Sequence, residues 1–546
     1  MTKAYNLLGV MLDMSRNAVM SLPALKRYLP IVKKMGYNTV FMYTEDTYEV
    51  DGEPYFGYMR GRYSKDEMKE LDAFASSIGM EIIPCIQTLA HLNGTLRWNK
   101  VPIDCDDILL TDDERTYEVI DRMFKTLSEC FKTRKLHVGM DEAHMLGRGK
   151  HQDIHGPEEK SAIIKRHLER VCEIAKKHGY EDVMLWSDMF YRSWNNGYSL
   201  SEPKDIPKDV IDAVPESVIP VYWDYYHQNE REYDLMIDSH KQLSKHFCFA
   251  GGVWCWSGFT SHNKFSFRTM GPAIRSCRKN KVKNIFMTMW GDDGAECSKF
   301  AMLPALMFVA EYAKGNEDMD SIKAKFKRIV GVDFDDFIKL DLADEITDVV
   351  VNDRGDVEPV NPSNVNPSKY MLYSDYFNDF LDYTVVPGAS ATYKSHAEQL
   401  RAVAKKSRKF AYLFNTAAAL CEALSVKYEL GVKTRAAYEA GDKAALRALA
   451  EKDYVQAQKL IRNFALTFER QWYTDNKPCG FDIQHSRLGG IMFRTEACRR
   501  RILDYVSGKL DKIEELEEKL LPFGNKNKPI NINQSKLYLS TNITSH

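Results

Sequence analysis

Eight short apolar runs, separated by amphipathic stretches at helical spacing, govern what the first three-fifths of this chain can fold into. The runs are Tyr5–Asp13, Asn38–Tyr43, Glu81–Thr88, Lys135–Asp141, Asp182–Asp188, Ser217–Asp224, Phe247–Trp254 and Asn284–Trp290. Most are continuous rather than alternating, the pattern of parallel strands covered on both faces. Between them, Ser64–Ile78 has Ser64 and Glu67 at capping-box spacing, with Met68, Leu71, Phe74, Ala75 and Ile78 on one face. Leu22–Met35 repeats Leu22, Leu25, Leu29 and Val32, and Pro30 is expected to kink it. Eight strand–helix units predict an α/β fold, a (β/α)8 TIM barrel. A doubly wound open sheet is the alternative, but no glycine-rich phosphate loop follows the first strand.

Beyond the eighth unit the pattern changes. Residues 336–388 carry Pro359, Pro362 and Pro367 among Asn and Asp, and read as a connecting segment after a barrel spanning 1–335. Residues 389–524 are rich in Ala, Lys, Glu, Leu and Arg at helical spacing, interrupted near Gly441 and over Asp475–Gly490. They predict a mostly α-helical C-terminal domain whose apolar stripe is a bundle core, or alternatively the seam of a homodimer. Trp472–Gly490 is unusually aromatic and glycine-rich for a bundle, which makes it a candidate to reach a barrel mouth, its own or a partner's. The Asn- and Ser-rich residues 525–546 are expected to be disordered.

With 75 basic and 77 acidic residues the formal net charge is −2, which gives no electrostatic footprint for nucleic acid or an anionic membrane. Eleven cysteines without a CxxC pair read as reduced thiols, and a cytoplasmic location is expected. The apolar stretch from Asn6 to Leu12 stops at Asp13, too short for a signal peptide. Glycosylation-like triplets such as those at Asn93 and Asn542 are therefore read as chance.

Barrel enzymes hold their reactive groups at the carboxyl ends of the strands. Here those ends read Asp13-Met-Ser-Arg16, Glu45-Asp46, His91 after the third, Asp141-Glu142, Trp186-Ser-Asp188, Trp223-Asp224-Tyr225-Tyr226, Trp254-Cys-Trp256 and Trp290-Gly-Asp292-Asp293. Five of the eight tryptophans fall at one end of four strands, which packing alone would not arrange. A mouth of indoles and carboxylates suits a sugar: pyranose faces stack on the rings while charged groups take the hydroxyls. Paired carboxylates suit glycoside hydrolysis, but adjacent Asp141 and Glu142 diverge and cannot flank one bond as an acid and nucleophile normally do. Trp98 and Trp194, in loops after the third and fifth strands, either border a second sugar site or cover the core. His137 reads as a core histidine. The spacing of His137, Asp141 and His144 matches neither usual zinc pattern, so no metal is expected.

The stretch Leu136-His-Val-Gly-Met-Asp-Glu142 resembles the His-x-Gly-x-Asp-Glu signature of glycoside hydrolase family 20, the exo-acting β-N-acetylhexosaminidases. Asp13-x-Ser-Arg before it and Trp290-Gly-Asp after it strengthen the likeness, which runs through the barrel. It is greatest to the branch that lacks an N-terminal α+β domain and has a C-terminal helical region. The resemblance implies release of terminal β-linked GlcNAc or GalNAc, without cofactor, with retention, the substrate's own acetamido oxygen attacking its anomeric carbon.

It also implies roles. Glu142 would be the general acid and base, its pKa raised by burial and a neighbouring charge, and Asp141 would accept the acetamido N–H. Arg16 resembles the arginine that forks to the 3- and 4-hydroxyls, Trp290 and Asp292 the Trp-x-acid pair, and Trp186 and Trp223 the indoles around the acetamido methyl. Asp46 and His91 match a supporting pair that braces the acid. The family's strand-seven Tyr-x-Asp is replaced here by Trp254-Cys-Trp256, so Tyr225 takes the tyrosine role, with Tyr226 the alternative. Two other readings are a barrel glycosidase acting on protein-linked GlcNAc, which usually shows an Asp-Asp pair, and a non-catalytic sugar-binding protein.

Overall fold

The computed structural model describes residues 5–195, 197–292, 294–346, 349–351, 357–359 and 366–521. The eight runs form eight parallel strands: β1 (Leu7–Asp13), β2 (Thr39–Tyr43), β3 (Glu81–Cys85), β4 (Lys135–His137), β5 (Asp182–Trp186), β6 (Val218–Trp223), β7 (Cys248–Gly252) and β8 (Asn284–Met289). They close in sequence order into a barrel, with Val10 of β1 opposite Val40 of β2 on one side and Met287 of β8 on the other. That closure excludes the open sheet and leaves no strand edge exposed. Every residue of β1 and β2 is buried, because one face fills the interior and the other meets helices.

The flanking helices are α1 (Leu22–Met35), α2 (Lys65–Ser77), α3 (Glu114–Cys130), α4 (Lys160–Lys177), α5 (Glu230–Leu243), α6 (Asn263–Lys279) and α7 (Leu303–Ala313). After β5 only the short helices Asp188–Arg192 and Lys208–Ile211 appear. α1 starts at Ser21, whose hydroxyl accepts the Ala24 N–H, and continues through Pro30 to a left-handed Gly36. α2 opens on the expected box: Ser64 accepts from the Glu67 N–H, and Glu67 accepts from the Ser64 N–H. A small antiparallel hairpin, Ile103–Cys105 with Ile108–Leu109, follows β3 and is too short to show as a periodic run. It is tied to the loop after β4 by Asp104, whose carboxylate accepts the N–H groups of Gly147, Gly149 and His151.

The chain divides into two compact units, and the division is not a single cut near residue 335. The first takes residues up to Val253 with Phe265–Trp290 and Ala305–Ile322; the second takes Trp254–Lys264, Gly291–Pro304 and everything from Lys323. The loops after β7 and β8 thus belong with the helical part. That part is built from α8 (Ala389–Lys406), α9 (Ala411–Lys427), α10 (Leu430–Glu439), α11 (Tyr454–Asp475) and α12 (Phe481–Val506). Gly441, at φ 66°, marks the expected break.

Two expectations change here. The interruption over Asp475–Gly490 shrinks to residues 476–480, and α12 runs straight through Gly489 and Gly490. Trp472 turns inward against Phe468 and Phe481, its indole donating to the Lys477 carbonyl at 3.0 Å. Within the predicted connecting segment, Pro367–Tyr373 is a helix with all seven residues buried. The predicted disordered tail, 525–546, lies outside the described residues. All eleven cysteines are unpaired. Among the described residues no helix is long and apolar enough to cross a membrane.

Ser64→Ala should lower the denaturant midpoint by the equivalent of about 1 kcal/mol, and Ser64→Asp should restore it. Equal midpoints for wild type and Ser64→Ala would show that the box contributes nothing.

Candidate active site

Left-handed backbone at non-glycine residues gathers where the strands end. Asn17 (φ 72°) follows β1, Glu45 (φ 45°) follows β2, His91 (φ 59°) follows β3, and Met140 (φ 71°) and Glu142 (φ 53°) follow β4. Such residues are uncommon and persist only where surrounding contacts over-determine them. The sharpest turn is at β4. Gly139 has φ 76°, and a Cβ there would lie 2.1 Å from Gln87 Oε1. That oxygen accepts the Met140 N–H at 3.0 Å, and the chain then sends Asp141 inward and Glu142 outward.

Asp141 is 9 % exposed. Its Oδ1 accepts from Gln87 Nε2 at 2.7 Å, and its Oδ2 lies 3.3 Å from His91 Nε2. Burial alone would raise its pKa, but the His91 charge and the hydrogen bonds from His91 and Gln87 hold it below the usual carboxylate value. Burial would likewise lower His91, and Asp141 reverses this, raising it to about 10. The pair is therefore a carboxylate–imidazolium contact in the barrel mouth. Gln87 Nε2 also donates to the Tyr43 hydroxyl at 3.0 Å, which donates to Glu45 Oε1 at 3.0 Å. Burial pushes the Glu45 carboxyl up to about 7 even though Arg16 Nη2 stands 3.2 Å away.

Glu142 departs from expectation. Its side chain is 41 % exposed, so the burial anticipated around it is absent; its Oε2 lies 3.8 Å from His91 Nε2. Asp46 departs as well. It is buried against Arg60, Nε to Oδ1 2.9 Å, and accepts from the Thr95 hydroxyl at 3.3 Å. The His91 ring pairs with Asp141, and the His91 backbone N–H donates to Asp107, so the expected Asp46–His91 pair does not form. The His91 ring is turned to Asp141 at the end of β4, and Arg60 compensates Asp46.

The aromatic candidates of the first unit do converge. Trp186 lies 4.5 Å from His137 and 5.7 Å from Trp290 between ring centroids, and Tyr43 meets Trp290 edge-on at 4.8 Å. Tyr225 is buried, stacks on Trp223 at 5.4 Å, and its hydroxyl is hydrogen-bonded with Trp290 and Thr288 within reach of the Asp141 charge. Tyr226 is 52 % exposed. His137 is a core residue as expected: it is fully buried, its Nδ1 accepts the Gly139 N–H, and burial lowers its pKa to about 3. Trp98 meets Tyr55 and Tyr58, while Trp194 packs on Tyr191.

Trp254 and Asp292 fall in the second unit. Trp254 stacks on Trp256 at 4.4 Å, and Asp292 sits in an exposed turn two residues past Trp290. The segment following Asp292 is fastened there by Glu296, which accepts from Lys369, Gln484 and Arg487. The stretch predicted to approach a barrel mouth therefore meets the loop that follows β8.

Sequence reasoning missed Gln87, Tyr43 and the Arg16–Glu45 pair, although Glu45 stood beside Asp46 at a strand end. Among the described residues, Asp112, His151 and His155 bring potential metal-ligating atoms within 4.8 Å. Their acid is already held by Arg166, which also binds Glu158, the partner of His151 Nε2. The cluster is accounted for as an ion-pair fastening of the loops after β3 and β4.

The model of the glycosyl hydrolase family 20 catalytic domain matches residues 5–232, and that of the glycoside hydrolase 20C C-terminal domain matches residues 335–534. Hexosaminidase D of Bos taurus is 24% identical over 245 residues, 43% of this chain and 65% of that protein. Hexosaminidase D of Homo sapiens is 24% identical over 215 residues, 37% of this chain and 41% of that protein. The chain thus spans less than two thirds of the length of these relatives. Among solved structures, a family 20 exo-β-N-acetylglucosaminidase from Vibrio harveyi aligns at 14% identity and TM-score 0.46, covering 62% of this chain and 58% of that one. A β-N-acetylhexosaminidase from Streptomyces coelicolor aligns at 19% and 0.45, covering 60% and 70%.

The His91–Asp141 contact makes stability depend on pH. Because the folded pKa of His91 is raised from 6.5 to about 10, its contribution is complete below about 6.5 and disappears as pH rises through about 10. His91→Gln should therefore lower the urea midpoint most at pH 6, and the gap from wild type should close toward pH 10. A gap independent of pH would contradict the pairing.

Proposed function

Because this chain belongs to glycoside hydrolase family 20, we propose that it is a retaining exo-β-N-acetylhexosaminidase, acting on terminal β-linked GlcNAc or GalNAc with the substrate's acetamido oxygen as nucleophile. The observation that carries this reading is the split character of two adjacent carboxyl residues: Asp141 is buried and held ionised, and Glu142 is open at the mouth.

In this mechanism Asp141 accepts the acetamido N–H, aims the carbonyl oxygen at the anomeric carbon, and stabilises positive charge as the oxazolinium forms. Glu142 protonates the departing oxygen, then takes a proton from the water that opens the intermediate. The bound sugar supplies the enclosure that the protein does not build around Glu142. Trp186, Trp223 and Trp290 wall the acetamido group, and Tyr225 donates to its oxygen from beside Asp141. Arg16, oriented by Glu45, forks to the ring hydroxyls in a way that lysine could not reproduce.

Wild-type protein should hydrolyse 4-nitrophenyl β-N-acetylglucosaminide or its galacto counterpart. Glu142→Gln should lower kcat by ~10²–10⁴ on natural-type, poor leaving groups and far less on activated aryl groups. An unchanged rate on a poor leaving group would remove Glu142 from the role of acid. Binding of GlcNAc without any turnover in the wild type would favour a non-catalytic sugar-binding protein.

A further inference from the structure

Asp188 is a fully buried carboxyl that the proposed chemistry does not use. It lies two residues past the end of β5, at the start of the short helix Asp188–Arg192. Its Oδ2 accepts the backbone N–H of Glu142 at 3.1 Å and lies 3.3 Å from Arg192 Nε, while Oδ1 is sealed from solvent with no hydrogen-bond partner. The charged and titratable groups facing it are Asp141 and Glu142 from the end of β4, Arg192 from its own helix, and the Tyr198 hydroxyl from the loop that follows.

The captured N–H belongs to the peptide that joins Asp141 to Glu142. Glu142 has φ 53°, and its N–H meets a fully buried carboxyl while its side chain reaches solvent. A left-handed non-glycine residue is conformationally costly and survives only where its surroundings impose it. A buried N–H left uncaptured would be unsatisfied as well. The Asp188 oxygen answers both conditions from a neighbouring strand end.

We propose that Asp188 is a positioning residue: by clamping the Asp141–Glu142 peptide it fixes the angle at which the acid and the acetamido acceptor diverge. This rests on the roles assigned to those two residues above. Burial, and then the Asp141 charge, push the Asp188 carboxyl up to about 7. Ionised or protonated, it still presents an oxygen to the Glu142 N–H, so the clamp holds on both sides of that pH. Asparagine keeps the acceptor and the shape; alanine and leucine remove the acceptor.

The test pairs kinetics on a chromogenic β-N-acetylglucosaminide with amide hydrogen exchange over the peptide spanning 140–146. Asp188→Ala should lower kcat by ~10²-fold, as misplacement of reacting groups does, with KM changed by less than about threefold. It should also speed exchange in that peptide. Asp188→Asn should keep kcat within about tenfold of wild type and keep exchange slow, since its amide oxygen takes the N–H. If Asp188→Ala does not fold, Asp188→Leu, close to Asn in shape, answers the same question. Wild-type kcat and exchange in Asp188→Ala or Asp188→Leu would overturn the clamp, as would Asp188→Asn falling as far as either. Should the wild type turn over no hexosaminide, the functional reading fails, and the exchange comparison still decides the clamp.

Discussion

A carboxylate that stays ionised inside an apolar barrel is the constraint on which this site depends. Removing a charge from water costs several kcal/mol unless partners replace the water. Asp141 meets that requirement with the His91 imidazolium on one oxygen and the Gln87 amide on the other. Each partner is fixed in turn. Gln87 is locked by the Met140 N–H and Tyr43, and His91 by Asp107. If Asp141 were protonated, it would lose both its hold on His91 and the charge that the proposed oxazolinium would need.

The same demand explains the backbone. For Asp141 to point inward while its neighbour points to solvent, the chain must turn sharply within three residues. It does so through left-handed Gly139, Met140 and Glu142. Only the first is glycine, so the other two depend on hydrogen bonds to Gln87 and Asp188. Local conformational cost and polar satisfaction are thus settled by side chains from β3 and β5, on either side of β4. A closed barrel is suited to this, since it places consecutive strand ends side by side.

How much of this the sequence disclosed follows from the physics. Parallel strands buried on both faces appear as continuous apolar runs, so all eight were visible, and the Ser64–Glu67 box marked α2 by local chemistry. Asp141, Glu142 and the indoles were legible because strand ends are where barrels keep polar and aromatic groups. Gln87 and Tyr43 were not, because a polar clamp at the end of an apolar run has no periodicity to betray it. The Asp46–His91 pairing misled because loop partners are chosen in space: Arg60 took the place beside Asp46, and Asp141 the place beside the His91 ring. The division of the chain eluded a linear reading because the loops after β7 and β8 leave the barrel's segment and join helices some two hundred residues later.

The central claim is that the nucleophile belongs to the substrate, and stepwise fluorination of the acetamido methyl of an aryl β-N-acetylglucosaminide tests it most directly. Each fluorine withdraws electrons from the carbonyl oxygen without altering the ring or the leaving group. The account predicts a steep, continuous fall in kcat from acetamido to trifluoroacetamido. A flat dependence, or brisk turnover of the plain β-glucoside, would contradict it and assign the attack to a group of the protein.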